Sequence, residues 1–169
     1  MTVTPFCHGS FTLRRTWAAS PAHVFRAWSD PELKAQWFTG PKDRWTLTRR
    51  SINFREGGTE VLEGRFKDSG SASLYEARFH LIEPDQRIIY AYDLHHTGRF
   101  HSVTLSSLMV EAEAGRTQVA YTEQIVFLDG RDGTADREHG VGLQFDAIEN
   151  VLMPKDGAIK NGAIEGAAR

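Results

Sequence analysis

A long amphipathic helix near the C-terminal end of the sequence constrains the fold most strongly. Within residues 136–153, apolar side chains recur at i, i+4, i+7 and i+11, and these are Val141, Phe145, Ile148 and Leu152. At about 100° per residue they fall within about 60° of one another, which makes a narrow stripe on one side of a helix. Most segments before this helix look like strands, and an apolar stripe must be buried against another layer. We therefore expect the helix to pack on a sheet.

Two short helices are predicted near the N-terminal end. Ser20 caps the first helix and Pro21 takes its first position, where the missing N–H is not needed. Asp30 and Pro31 repeat this arrangement at once for the second helix, and the Gly-Pro pair at 40–41 ends it. The two helices therefore form a corner with almost no linker.

Alternation of apolar and polar residues predicts seven strands, one before the helical corner and six after it. Their ranges are 11–16, 45–55, 58–66, 73–83, 87–94, 100–111 and 117–128. Short turn signals separate the last six, so we expect tight connections and antiparallel pairing. The element order β-α-α-β-β-β-β-β-β-α predicts an α+β fold with a curved antiparallel sheet wrapped around the C-terminal helix.

Length and composition favour one domain and exclude several classes of partner. The chain has 169 residues and a net charge of −2, without the basic surface that binds nucleic acid. No window approaches the ~18 apolar residues of a membrane span. Residues 1–10 have no signal-peptide pattern and the single Cys7 cannot form an internal disulfide, so we expect a cytoplasmic protein. We predict an irregular leader at 1–10, the domain at 11–153 and a Gly/Ala-rich tail at 154–169.

Four motifs resemble a known family. The pattern S-P-x-x-V-F-x-A-W-x-D-P-E covers residues 20–32, and W-F-x-G-P covers 37–41. Y-T-E-Q at 121–124 and F-L-D-G at 127–130 look like a bacterial branch of the same family. Together they resemble the activator of heat-shock protein 90 ATPase homologue family, within the START-like (SRPBCC) superfamily, over roughly residues 10–153.

The resemblance implies a helix-grip fold with a hydrophobic cavity between the sheet and the C-terminal helix. Members of the superfamily include a chaperone-activating module, carriers of lipids and hormones, and more distant polyketide cyclases. The family commonly has a Gly-Trp pair early in the last helix, where this chain has Gly140 and Val141. The smaller side chain predicts a larger cavity or a neighbour that has collapsed into the space.

Glu123 is the first candidate for chemistry. On the last strand it shares one face with Val119, Tyr121, Ile125 and Phe127, and this more apolar face should meet the helix. A buried carboxylate is costly unless it is paired. Glu123 is therefore either a polar anchor or general acid/base in the cavity, or one half of a structural pair with an arginine.

Aromatic side chains supply the other candidates for the cavity wall. Tyr90 and Tyr92 share a face of one strand. If that face points inward, the two side chains either fill the core or present hydroxyls that would bond a ligand or Glu123. Trp37 lies on the apolar side of the second short helix, where packing in the core is the alternative role. With these, the predicted ligand cavity contains Trp37, Tyr90, Tyr92, Tyr121, Glu123, Val141, Phe145, Ile148 and Leu152.

We predict no metal site and no cofactor. His95, His96 and His101 cluster around one turn, but adjacent residues of an extended chain point to opposite faces. No cysteine or carboxylate repeats a ligand spacing around them. The sequence also lacks a phosphate-binding loop, a dinucleotide fingerprint and a G-x-S-x-G nucleophile motif.

Three functions remain open at this stage. The first is binding of a small apolar, aromatic or lipid-like ligand, with the N-terminal end of the last helix as the gate. The second is a cyclase, dehydratase or hydrolase that uses Glu123 as acid/base, and the third is a module that contacts a chaperone. Leu143 lies almost opposite the stripe and raises the further possibility of a homodimer contact.

Overall fold

The computed structural model describes residues 3–154 and confirms the predicted element order. A first strand and two helices come first: β1 (Cys7–Trp17), α1 (Pro21–Ser29) and α2 (Pro31–Trp37). Six strands follow: β2 (Trp45–Ile52), β3 (Thr59–Phe66), β4 (Ala72–Glu83), β5 (Arg87–His96), β6 (Arg99–Glu113) and β7 (Arg116–Phe127). The long helix α3 (Thr134–Leu152) closes the domain.

The strands form one antiparallel sheet in the order β1-β7-β6-β5-β4-β3-β2. Only β1 leaves sequence order, since it crosses the helical corner to pair with β7. Helix α3 contacts β1 and both short helices. The sheet holding α3 in this way is the predicted helix-grip fold.

The helical corner forms as its sequence predicts. The Ser20 side chain accepts a hydrogen bond from the backbone N–H of His23 at 3.2 Å. Asp30 accepts from the backbone N–H of Glu32 at 3.0 Å and so caps α2. The indole N–H of Trp37 donates to the Ala27 carbonyl at 2.7 Å, which locks the second helix onto the first.

The stripe of α3 is buried as predicted. Phe145 packs its ring 5.8 Å from that of Trp17 on β1 and 5.6 Å from that of Tyr121 on β7. Leu143 is 56% exposed on the opposite side of the helix. Among the described residues, no helix is long and apolar enough to cross a membrane.

Two predicted boundaries need correction. Strand β1 begins at Cys7 rather than at Phe11, because residues 7–10 pair with residues 124–127 of β7, so the irregular leader is shorter than predicted. Helix α3 begins at Thr134, where the Asp132 side chain accepts from the Thr134 backbone N–H at 3.0 Å. The predicted tail at 154–169 lies, apart from Pro154, outside the described residues.

Candidate functional site

A cavity of about 590 Å³ lies between the sheet and the N-terminal half of α3. The helical corner closes one side of it with Trp28, Lys34 and Trp37. Of the residues predicted to line the cavity, the structure places these in its wall: Trp37, Tyr90, Tyr92, Tyr121, Glu123, Val141 and Phe145. Gly140 also borders it, and a Cβ atom built there would meet no other atom within 4 Å.

Ile148 and Leu152 were expected in the cavity wall but lie outside it. Both are buried in the core. The cavity borders α3 only as far as Phe145, and Leu152 lies eleven residues beyond Val141, or about 16 Å along a helix. Further along the same stripe the space is filled by packed side chains.

Aromatic rings form much of the wall. Tyr75 and Tyr92, on neighbouring strands, have ring centroids 4.8 Å apart, and Phe38 meets Tyr75 edge-on at 4.8 Å. Trp28 meets Phe145 at 5.9 Å. The strand alternation directs the tyrosines inward, so they present apolar rings with polar tips to the same cavity.

Glu123 lies among these rings and is only 1% exposed. Its Oε1 atom accepts hydrogen bonds from the Tyr92 hydroxyl at 2.8 Å and from the Tyr121 hydroxyl at 2.6 Å. The hydroxyl of Tyr90 lies 3.0 Å from that of Tyr121 and extends the network. The hydroxyls of Tyr92 and Tyr121 therefore bond the carboxylate, whereas that of Tyr90 contacts the Tyr121 hydroxyl.

The tyrosines of this network stay neutral. Burial raises the pKa of Tyr121 and of Tyr92 well above the ordinary value, and the nearby Glu123 charge raises the pKa of both further. Burial likewise raises the pKa of Tyr90. Near neutral pH these hydroxyls therefore serve as hydrogen-bonding groups and are poor sources of protons.

Arg137 completes the site, and the sequence reasoning missed it. Its Nη1 atom donates to the Tyr92 hydroxyl at 2.7 Å and to the Thr104 hydroxyl at 3.1 Å, and Nη2 donates to the Ser102 hydroxyl at 2.8 Å. One signal could have found it: Arg137 lies four residues before Val141, so the apolar stripe extended by one turn reaches it.

The second carboxylate oxygen of Glu123 makes fewer polar contacts than the first. Oε2 is buried, lies 3.5 Å from Nη1 of Arg137, and has no hydrogen-bond partner among residues 3–154. N–H···O bonds are normally about 2.7–3.2 Å long, so the contact with Arg137 balances charge without forming a hydrogen bond. The predicted pairing with an arginine is therefore present but incomplete.

Two histidines border the cavity near its solvent side. The rings of His96 and His101 lie 4.7 Å apart, and His96 is exposed. Loss of part of their hydration lowers the pKa of both rings, although His96 stays exposed, and the Arg137 charge lowers both pKa values further. His95 turns away and stacks on Phe100, as the alternation of an extended chain requires.

A second buried ion pair lies at the helical corner. Nζ of Lys34, on α2, lies 2.6 Å from Oε2 of Glu60, on β3, and both side chains are buried. Nζ also lies 5.3 Å from the centre of the Phe38 ring and 5.8 Å from that of Phe79. Neither Lys34 nor Glu60 was predicted as a buried charge.

Comparisons with known proteins agree with the family that the sequence motifs indicate. A sequence profile of the family described as Activator of Hsp90 ATPase homolog 1-like protein matches residues 18–153. A putative uncharacterized protein from Rhizobium leguminosarum is 37% identical with a TM-score of 0.83, over 89% of this chain and 98% of that one. The Mll3558 protein from Rhizobium loti is 30% identical with a TM-score of 0.80, over 87% and 99%.

A more distant structure shows the fold alone. A protein from Arthrobacter aurescens is 19% identical with a TM-score of 0.73, and the alignment covers 95% of this chain and 98% of that one. A search of curated proteins found no match.

Proposed function

The chain belongs to the family of Activator of Hsp90 ATPase homolog 1-like proteins, which has the START-like fold, and we propose that it binds a small, mainly apolar ligand in its cavity. The cavity volume of about 590 Å³ is the observation that carries the proposal. Ligand sites are typically apolar clefts of about 300–1,000 Å³ with a few polar groups that fix orientation.

The chemistry of the wall supports an aromatic or lipid-like ligand. Rings of Trp28, Trp37, Tyr75, Tyr92 and Phe145 offer apolar area, and their faces and edges suit a flat partner. Glu123 and Arg137 lie beside these rings, while Lys34, His96 and His101 border the cavity elsewhere. The Glu123 end of the cavity suits the polar end of a ligand whose remainder packs on the rings.

The geometry favours binding over acid–base catalysis and over a role as a chaperone-contacting module. Tyr92 and Tyr121 are within hydrogen-bond distance of Glu123, as an enzyme would require, but both direct their protons to Oε1. Their raised pKa values make them weak acids near neutral pH. A filled core would have indicated an interaction module, whereas this domain contains a cavity of about 590 Å³.

Filling the cavity from α3 tests the proposal. Val141 is buried in the cavity wall, so Val141→Trp should place an indole ring inside it. Binding of 2-methoxynaphthalene, measured by isothermal titration calorimetry, should weaken at least tenfold relative to the unmodified protein. Gly140 and Gly142 weaken the same turns by about 1 kcal/mol each relative to Ala, which suits a gate at this end.

Leu143→Trp is the matched control. It makes the same kind of change two residues away, on a side chain that is 56% exposed on the other side of α3. This variant should bind the probe as the unmodified protein does. Unchanged binding in Val141→Trp would overturn the proposal.

A further inference from the structure

We infer that the cavity selects an uncharged ring compound carrying an O–H or N–H group, which donates a hydrogen bond to Oε2 of Glu123. The inference rests on the proposed binding function and adds the chemical class of the ligand. Its basis is the contrast between the two oxygens of one buried carboxylate.

The first oxygen of Glu123 is fully occupied. Oε1 accepts from Tyr92 at 2.8 Å and from Tyr121 at 2.6 Å, so each hydroxyl proton in reach points to this atom. The tyrosines are in turn held by Arg137 and by Tyr90. The carboxylate is therefore fixed in orientation within the cavity wall, and its other oxygen is left without a donor among residues 3–154.

The second oxygen lacks a donor although it is buried. Within residues 3–154 nothing donates to Oε2, and Nη1 of Arg137 stands 3.5 Å away. A buried acceptor left without a donor is unfavourable, more so when it carries charge. A ligand donor that enters beside Arg137 supplies the missing bond.

Arg137 does not supply that bond because both N–H groups of Nη1, its atom nearest to Oε2, are used elsewhere. Nη1 bonds the hydroxyls of Tyr92 and Thr104, and Nη2 bonds that of Ser102. These contacts hold the guanidinium on strands β5 and β6, where it balances the charge of Glu123 from a distance. Arg137 thus neutralises the Glu123 carboxylate, but Oε2 lacks a hydrogen-bond donor among residues 3–154.

This division of roles sets the charge of the ligand. Glu123 and Arg137 already neutralise each other, so an anionic or a cationic ligand group would bring an unpaired charge into a buried site, at a high cost in lost hydration. A neutral donor avoids that cost. The aromatic wall formed by Tyr75, Tyr92 and Phe145 then favours a donor attached to a ring, as in a phenol or an indole.

Three naphthalene probes of nearly equal size test the inference. We expect 2-naphthol to bind at least tenfold more tightly than 2-methoxynaphthalene, since a hydrogen bond to a charged acceptor contributes about one order of magnitude or more. We expect 2-naphthoate, an anion at neutral pH, to bind more weakly than either. Isothermal titration calorimetry on the full chain measures all three affinities.

A variant pair assigns the preference to Glu123. Glu123→Gln places an amide in the wall, and its nitrogen cannot accept, so the advantage of 2-naphthol should fall to less than threefold. Glu138→Gln, which makes the same change on an exposed side chain of α3, should leave the advantage unchanged. If Glu123→Gln does not fold, the three probes on the unmodified protein still decide the matter.

The outcomes separate this inference from the proposed function. If 2-naphthol and 2-methoxynaphthalene bind the unmodified protein equally, a bound water suffices for Oε2 and the inference is wrong, while binding itself stands. Tighter binding of 2-naphthoate than of either neutral probe would also overturn the inference. If none of the probes binds, the proposed function fails as well.

Discussion

The domain buries two carboxylates, and the ion pairs that they form differ in the distance between the charged atoms. Glu60, on β3, faces Lys34 of α2, and Glu123, on β7, faces Arg137 of α3. Each therefore joins a strand to a helix through an ion pair, and each is surrounded by aromatic rings. The first pair closes at 2.6 Å, whereas the nearest approach of the second is 3.5 Å.

The difference follows from what else each cation contacts. Lys34 is enclosed by Trp37, Phe38 and Phe79, and its short contact is to Glu60. Arg137 has a planar, forked head whose donors reach several hydroxyls at once, so it is shared among strands. The Lys34–Glu60 pair is thus joined by a hydrogen bond, whereas the Arg137–Glu123 contact leaves a fully buried oxygen without a donor among residues 3–154.

The largest effect is expected from breaking the Lys34–Glu60 pair, whose charged atoms lie 2.6 Å apart. Lys34→Met removes the cation and leaves the Glu60 charge buried, so the free energy of unfolding should fall by about 3–5 kcal/mol. Urea denaturation measures the loss. Lys42→Met, on an exposed lysine, should change stability by less than about 0.5 kcal/mol.

A double variant sharpens that prediction. Lys34→Met combined with Glu60→Leu removes both charges and should recover most of the lost stability, because apolar replacements of buried pairs are often neutral or better. A loss of under about 1 kcal/mol in Lys34→Met alone would show that the pair is not structural, and the comparison would fail.

An intermediate effect is expected from the same substitution made at each carboxylate. Glu60→Gln leaves Lys34 charged and buried, so we expect a stability loss of roughly 3 kcal/mol. Glu123→Gln keeps an oxygen for Tyr92 and Tyr121, and Arg137 keeps its three hydroxyl partners, so we expect a loss of about 1 kcal/mol. Equal losses in urea denaturation would mean that Glu123 is as structural as Glu60.

The smallest effect is expected from acid acting on His96 and His101, beside the Glu123–Arg137 pair. His96 and His101 have pKa values lowered by burial, with the Arg137 charge lowering them further. Between these values and the unfolded value of about 6.5, the unfolded chain binds more protons than the folded one. Stability from this source is therefore complete above about pH 6.5 and decreases as the pH falls through the lowered values.

Histidine variants assign that response. His96→Gln and His101→Gln together should flatten the dependence of the unfolding free energy on pH below about 6.5. The nearby Asp129 carboxylate opposes the effect at His101, so His96 should contribute more. A profile unchanged by both substitutions would place the acid response elsewhere in the domain.

Much of the fold could be predicted because it depends on local pattern. The caps at Ser20 and Asp30 act within one helical turn, and strand alternation fixed which residues share a face. Inward placement of Glu123 followed from its four apolar neighbours on β7, since a one-residue shift would have buried the opposite set. The motifs at 20–32 and 121–124 pointed to the family that the comparisons show.

The site was only partly predictable because it depends on contacts between distant segments. The stripe of α3 was correct, but nothing in its period shows that the cavity stops before Ile148. Arg137 was overlooked because a charged residue at the start of a helix ordinarily faces solvent. The start of β1 at Cys7 required a partner more than a hundred residues away.

The sequence by itself determined the secondary structure, the inward faces and the presence of a carboxylate among aromatic residues. Only the tertiary structure decided that Lys34 and Glu60 close on each other while Arg137 divides its donors among Tyr92, Ser102 and Thr104. The reason is physical: helical and strand periods act over a few residues. The distance between two buried charges depends on how α2, α3 and the sheet pack together.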